Sequence, residues 1–237
     1  GSSISLGESA EEIIKKLGAP GRINELSDDF EYYIYNNDYK RLLCIALFEG
    51  RAVGIYTDSL DFDYRGIKSG SSLSDLNKLL AGNHSLADII EYEADGSKIQ
   101  ILMDSLDSQQ VTGIYLLSDS AAQAAFREQA TRCFELMVYD LTNSIRARNK
   151  LPVLSWSSSA ALASRKHSLD MAANSFFSHE NIKREQPEDR LRAEGIFIIS
   201  SSENLAAGYD NPFICVHKLF NSKTHRKNIL NKKFRYT

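Results

Sequence analysis

Two histidines and a glutamate near the C-terminus are the residues whose types and spacing could do chemistry. They lie in three short polar runs, which are, in chain order, Phe176-Phe177-Ser178-His179, Ser202-Glu203-Asn204-Leu205-Ala206 and Ser222-Lys223-Thr224-His225-Arg226. Neutral imidazoles are good zinc ligands, and a nearby carboxylate can ligate, orient a bound water or accept a proton. His179, Glu203 and His225 therefore predict a small metal or acid–base site.

Each of these three residues also has a structural interpretation. His179 could cap a turn, and His225 could lie beside the N-cap of a turn. Glu203 could form an ion pair with Arg190 or with Arg226, which would hold the fold together and leave no free carboxylate. Both interpretations stay open at the level of sequence.

Other polar residues in this region are expected to lie outside the site. His167 is predicted to be on the surface of a helix, and His217 on the last helix, away from the chemistry. Asn204 is predicted to be structural, because asparagine suits tight turns and hydrogen-bonds to local backbone.

The charge of the chain is unevenly distributed along its 237 residues, which are enough for two cores. Residues 1–120 carry 10 Lys+Arg and 20 Asp+Glu, a net of −10, and the rest carry 18 and 11, a net of +7. This split predicts a domain boundary near residue 120 and two halves that attract each other. The basic residues are scattered without an aromatic stacking platform, so nucleic-acid binding is not expected.

No apolar run approaches the roughly 18 residues of a transmembrane helix, and no signal peptide is visible. Gly1-Ser2 resembles a scar left by a purification tag, so we expect an export signal or anchor to have been removed. The three cysteines, Cys44, Cys133 and Cys215, each have apolar neighbours. They are predicted to be small buried side chains rather than disulfide partners or nucleophiles.

The elements that must position these residues follow two patterns. In the first half, a short helix followed by strands occurs twice, with helices predicted at 9–17 and 74–80. Strands are predicted at 32–35, 42–47, 52–56, 89–92, 98–103 and 111–117, with hairpin turns at Glu49-Gly50 and Asp95-Gly96. We therefore predict an α+β domain of two similar units over residues 5–118.

The second half is predicted to be mainly helical. A long amphipathic helix is predicted at about 121–149, and others at 159–173, from Pro187 and from Pro212. The apolar run 196–199 is predicted to be a strand. Helices around a central sheet indicate an α-β-α sandwich.

The sequence runs of the second half resemble the CAP superfamily (cysteine-rich secretory proteins, antigen 5, pathogenesis-related 1) in its bacterial form. Besides the three runs above, the resemblance includes Leu141-Thr142-Asn143-Ser144-Ile145-Arg146, Leu151-Pro152-Val153-Leu154-Ser155-Trp156 and His167-Ser168-Leu169-Asp170-Met171. In the first half, Leu17-Gly18-Ala19-Pro20 and Arg51-Ala52-Val53-Gly54-Ile55 resemble the CAP-associated N-terminal domain. The resemblance implies a CAP domain at 121–237, an α-β-α sandwich expected to lack its final strands.

The resemblance also implies a cleft that holds a divalent metal, commonly zinc. His179 matches the first cleft histidine, Glu203 the glutamate of the Glu-Asn-Leu motif, and His225 the second cleft histidine. The chain departs from many members at Ser222, where they carry a second glutamate, and at Leu219, where they carry tryptophan.

Two functions follow as expectations. The first is an extracellular or cell-envelope binding protein whose cleft holds zinc and an apolar or peptide ligand. The alternative is a metal-dependent hydrolase (peptidase) with Glu203 as general base, although the sequence contains no HExxH motif. An interaction scaffold without metal is the third possibility. An open sheet edge would also favour a homodimer.

Overall fold

The first helix begins where the sequence provides a complete capping box. In a computed structural model of the chain, which describes residues 3–118 and 130–237, the Ser9 hydroxyl accepts a hydrogen bond from the Glu12 N–H, and the Glu12 carboxylate accepts one from the Ser9 N–H. These contacts satisfy donors that the first turn would leave unpaired. The helix, α1 (Ala10–Leu17), ends at Gly18, as the sequence predicts.

Both predicted hairpin turns are present. Glu49-Gly50 and Asp95-Gly96 all have positive φ, from 49° to 72°, which is the left-handed conformation that two-residue hairpins favour. The first turn joins β3 (Leu43–Phe48) to β4 (Arg51–Thr57), and the second joins β7 (Ile89–Ala94) to β8 (Ser97–Met103).

The two predicted units form one continuous sheet. The remaining elements of the first half are β1 (Arg22–Glu25), β2 (Phe30–Tyr35), a 3₁₀ turn (Tyr39–Arg41), β5 (Asp63–Tyr64), β6 (Ile67–Lys68), α2 (Leu73–Leu79) and β9 (Val111–Ser118). Within the described residues, the main sheet is antiparallel with the order β1-β2-β3-β4-β9-β8-β7. Strands β4 and β9 join the units, with Tyr56 opposite Tyr115.

Both faces of this sheet are covered. Side chains alternate along a strand, so Ile45 and Leu47 of β3 pack against Ile13 of α1, whereas Cys44 and Ala46 face the other side. Helix α2 covers the same face as α1, over the second unit. The opposite face packs against helices of the second half, so the sheet lies between two helical layers. The predicted α+β class is confirmed.

The second half supplies those helices. They are α3 (Ala130–Arg148), α4 (Ser158–Ala173), α5 (Pro187–Ala193), α6 (Pro212–Phe220) and α7 (Lys223–Ile229). The part of the long predicted helix over 121–129 lies outside the described residues. Helix α7 was not predicted.

The predicted strand at 196–199 is wrong. These residues are irregular, and Phe197 and Ile199 are 91% and 93% exposed. An apolar run becomes a strand only when another strand pairs with it. In the described part of the second half, the strand-like pairing found is an isolated parallel bridge between Ser155 and Tyr236.

Helices α3, α6 and α7 share one hydrophobic core with the sheet. Phe213 of α6 is 1% exposed and its ring stacks on Tyr56 of β4, with 4.2 Å between centroids and 11° between planes. Its ring also lies 5.0 Å from that of Tyr115 and 5.9 Å from that of Tyr32. The two halves are therefore joined by apolar packing.

Ion pairs also cross between the halves, as the charge asymmetry predicts. Carboxylates of the first half pair with cations of the second, in the pairs Asp58–Arg148 (3.1 Å), Asp88–Lys218 (2.8 Å) and Asp104–Arg226 (2.5 Å). One pair has the opposite polarity and joins Arg22 to Asp140, a buried carboxylate. Among the helices described, none is both long and apolar enough to cross a membrane.

Candidate functional site

His179 and Glu203 lie in direct contact. His179 Nδ1 is 2.8 Å from Glu203 Oε1, and the other carboxylate oxygen, Oε2, accepts a hydrogen bond of 2.8 Å from Arg190. The His179 side chain is 54% exposed, whereas those of Glu203 and Arg190 are 17% and 9% exposed. These three residues form an array in which the His179 imidazole is exposed to solvent and the Glu203–Arg190 ion pair that holds it is largely buried.

Arg190 is held in place by the local fold. Pro187 begins α5, and the Asp189 carboxylate accepts a hydrogen bond of 3.0 Å from the Gln186 N–H at the start of the helix. From α5, Arg190 donates to the carbonyl oxygens of His179 and Glu185, both at 2.9 Å. The predicted alternative in which Glu203 pairs with Arg190 is thus confirmed, while Arg226 pairs with Asp104 instead.

His167 also supports the backbone next to His179, and its predicted surface position is wrong. Its side chain is on α4 but only 2% exposed, packed against Phe176. His167 Nε2 is 2.9 Å from the carbonyl oxygen of Ser178, so Nε2–H must donate, since a carbonyl only accepts. This bond fixes the backbone directly before His179.

His225 lies in the first turns of α7 and is partly buried. Its carbonyl oxygen accepts a hydrogen bond of 3.2 Å from Asn204. Asn228, a residue that sequence reasoning missed, donates to Asn204 Oδ1 at 2.8 Å and to the Glu203 carbonyl at 3.3 Å. Asn204 is therefore structural, as predicted, and ties the Glu203 segment to α7.

In the described ranges, His179, Glu203 and His225 do not form a preassembled group of three metal ligands. No group of three His, Cys, Asp or Glu side chains in the described ranges could hold a metal ion together. Both oxygens of Glu203 are engaged, one by His179 and one by Arg190. Metal binding by His179, Glu203 and His225, and Glu203 as a catalytic base, stay predictions.

His217 lies outside this array, as predicted, at the contact between α6 and the first half. Its Nε2 is 2.7 Å from the carbonyl oxygen of Asp88. Burial lowers the pKa of His217 to about 4, because the imidazolium would lose its hydration. Burial likewise raises the pKa of the Cys44 thiol, which is 2% exposed and suits a core side chain rather than a nucleophile.

Two large apolar side chains flank the exposed imidazole along the loop between α4 and α5. Phe177 is 57% exposed and Ile182 is 60% exposed. We call residues 176–182, which include His179, the histidine loop. Isolated apolar residues are normal on surfaces, but here two of them accompany a polar group fixed by buried partners.

Comparison with known families covers most of the chain. The family described as CAP-associated N-terminal matches residues 6–126, and the cysteine-rich secretory protein family matches residues 139–237. The chain belongs to the CAP family, with a CAP-associated N-terminal region. The family predicted from the sequence runs is thus confirmed.

Two Bacillus subtilis (strain 168) proteins are similar to this CAP-family chain in sequence. The uncharacterized membrane protein YlbC is 25% identical over 267 residues, covering 95% of this chain and 76% of that protein. The uncharacterized protein YkwD is 34% identical over 101 residues, covering 43% of this chain and 39% of its own length.

Two solved structures share the fold. An extracellular protein containing an SCP domain from Bacillus anthracis has a TM-score of 0.82 at 22% identity, and a cysteine-rich secretory protein from Staphylococcus aureus has 0.73 at 15%. Each match covers 98% of this chain and 88% of the solved one. Both halves of the chain therefore take part in the shared fold.

Proposed function

We propose that this CAP-family chain is a secreted or cell-surface binding module that holds an apolar peptide at the histidine loop. The observation that carries the proposal is an exposed His179 side chain, held by Glu203 and Arg190, in a loop that also exposes Phe177 and Ile182. Similarity to a protein named as extracellular and to one named as a membrane protein supports the location.

The chemistry of the loop favours a peptide over a purely apolar ligand. Phe177 and Ile182 offer apolar area, and burying the exposed part of each would contribute roughly half of the 1.5–3 kcal/mol that full burial of such a side chain gives. The His179 ring adds one polar group whose direction is fixed, and a peptide supplies hydrogen-bonding groups to meet it. Binding sites commonly combine such apolar area with a few positioned polar groups.

The geometry does not favour the hydrolase alternative. A general base must reach the group that it deprotonates, yet the Glu203 side chain is only 17% exposed and its carboxylate already contacts His179 and Arg190. In the described ranges, no serine, threonine or cysteine side chain hydrogen-bonds to the His179 ring, so a nucleophile–base pair is not formed.

A peptide selection tests the proposal. A random peptide display library would be selected on the immobilised chain, and the affinity of the selected peptides measured by calorimetry. We expect Phe177→Ser and His179→Ala to weaken binding at least tenfold, because about 1.4 kcal/mol is a factor of ten. Leu60→Ser is the matched control, since Leu60 is 50% exposed in the first half. Equal loss in all three variants, or none in the first two, would reject the loop as the site.

Zinc binding is a separate prediction and needs its own titration. Calorimetry with Zn²⁺ alone would compare the parent chain with His179→Ala and His225→Ala. If the heat of zinc binding disappears in both variants, the two histidines share one site. If neither change affects that heat, the shared zinc site is rejected. Dimerisation through an open sheet edge also stays a prediction, which light scattering across a range of concentrations would test.

A further inference from the structure

Glu203 lies between two hydrogen-bond donors, and this fixes the protonation pattern of His179. An ionised carboxylate only accepts, so the nitrogen 2.8 Å from Glu203 Oε1, His179 Nδ1, must carry a proton. In the neutral imidazole one nitrogen donates and the other accepts. Nε2 of His179 is therefore the acceptor.

Arg190 can only donate hydrogen bonds, and this restricts how the side chain at position 203 can be oriented. Its guanidinium has five donors, no acceptor and a permanent charge. It cannot turn away easily, because it is 9% exposed and also donates to the carbonyl oxygens of His179 and Glu185. Whatever side chain stands at position 203 must therefore present an acceptor toward Arg190.

The described residues leave Nε2 of His179 without a hydrogen-bond partner, on a side chain that is 54% exposed. We propose that Arg190, acting through Glu203, is a positioning residue that fixes the Nδ1–H tautomer of His179, so that the ring meets its ligand through an unprotonated Nε2. The ligand group at this point is then a hydrogen-bond donor, such as a peptide N–H. The ligand part rests on the proposed function, whereas the tautomer does not.

Long-range ¹H–¹⁵N correlation spectra of the histidine rings test the proposal directly. Spectra would be recorded at mildly alkaline pH, above the range in which exposed histidines titrate. The parent chain is expected to show a single form of His179 with Nδ1 protonated and Nε2 unprotonated. An Nε2–H form in the parent would overturn the proposal.

Glu203→Gln is the decisive variant, since it keeps the shape of the side chain. The amide oxygen must turn toward Arg190, which only donates, and the amide NH₂ group then faces His179 Nδ1. That nitrogen must now accept, so the tautomer is expected to invert to Nε2–H. A His179 that keeps Nδ1–H in this variant would contradict the role given to Arg190.

Two further variants keep the result interpretable. Glu180→Gln makes the same chemical change next to His179, at an exposed glutamate, and should leave the tautomer as in the parent. Glu203→Ala should lose the single Nδ1–H form, because nothing accepts from Nδ1; retention of that form would overturn the proposal. The rings of His84 and His225 serve as internal references. These spectra need no ligand, so a failed peptide selection would reject the proposed function without changing them.

Discussion

Truncating Phe213 tests whether the sheet of the first half and the helices of the second half fold as one unit. The Phe213 side chain is 1% exposed and lies among Tyr32, Tyr56 and Tyr115 of the sheet. Phe213→Ala would leave a cavity between α6 and strands from both units. It removes no hydrogen bond, so the effect reports on packing alone.

The expected cost is about 4 kcal/mol, since truncation of a buried phenylalanine typically costs about 3–5 kcal/mol. That range includes the lost transfer energy and the cavity that neighbours fill only in part. For a chain of this size, about 1 kcal/mol shifts the melting temperature by about 2–4 °C, so a decrease of about 8–16 °C is expected.

Urea denaturation followed by circular dichroism would measure the free energy of unfolding. Phe177→Ala is the matched control, because the same atoms are removed from a side chain that is 57% exposed, and its effect should stay within about 0.5 kcal/mol. A loss below about 1 kcal/mol in Phe213→Ala would refute a shared core. A shared core would also be refuted by two separate unfolding transitions, of which only one is shifted to lower urea concentration by Phe213→Ala.

Two polar contacts between the halves give further predictions. Burial lowers the pKa of His217 to about 4, so between about pH 6.5 and pH 4 the unfolded chain binds a proton that the folded chain does not. The free energy of unfolding should therefore fall by up to about 3 kcal/mol as the pH drops through this window. Urea denaturation of His217→Gln across the same window should show a shallower decline, and an equal slope in both proteins would contradict the assignment. Arg148→Met leaves the buried Asp58 carboxylate without its cation and should cost about 3 kcal/mol near neutral pH. The cost should shrink in acid, because burial raises the pKa of Asp58 and protonation removes the unpaired charge; a loss in urea stability that is independent of pH would argue against this.

Local signals in the sequence predict most elements of the first half. Ser9 with Glu12 marks a helix start, and Glu49-Gly50 and Asp95-Gly96 mark hairpins, because each motif satisfies backbone groups within a few residues. The pairing of β4 with β9 could not be predicted in the same way. It joins segments far apart in the chain, and apolar runs covered on both faces carry no signal for their neighbour.

The candidate site shows the same division between local and distant contacts. The pairing of Glu203 with Arg190 was one of two alternatives, and only the fold shows that Arg226 is committed to Asp104. The buried position of His167 depends on a loop that packs over α4, which its own helix does not reveal.

The most direct test of the central claim is a map of ¹H–¹⁵N chemical-shift changes in the chain titrated with a selected peptide. The account predicts the largest changes in the histidine loop and at Glu203, with the sheet of the first half unaffected. Changes concentrated in residues 22–118, with the histidine loop unmoved, would contradict it.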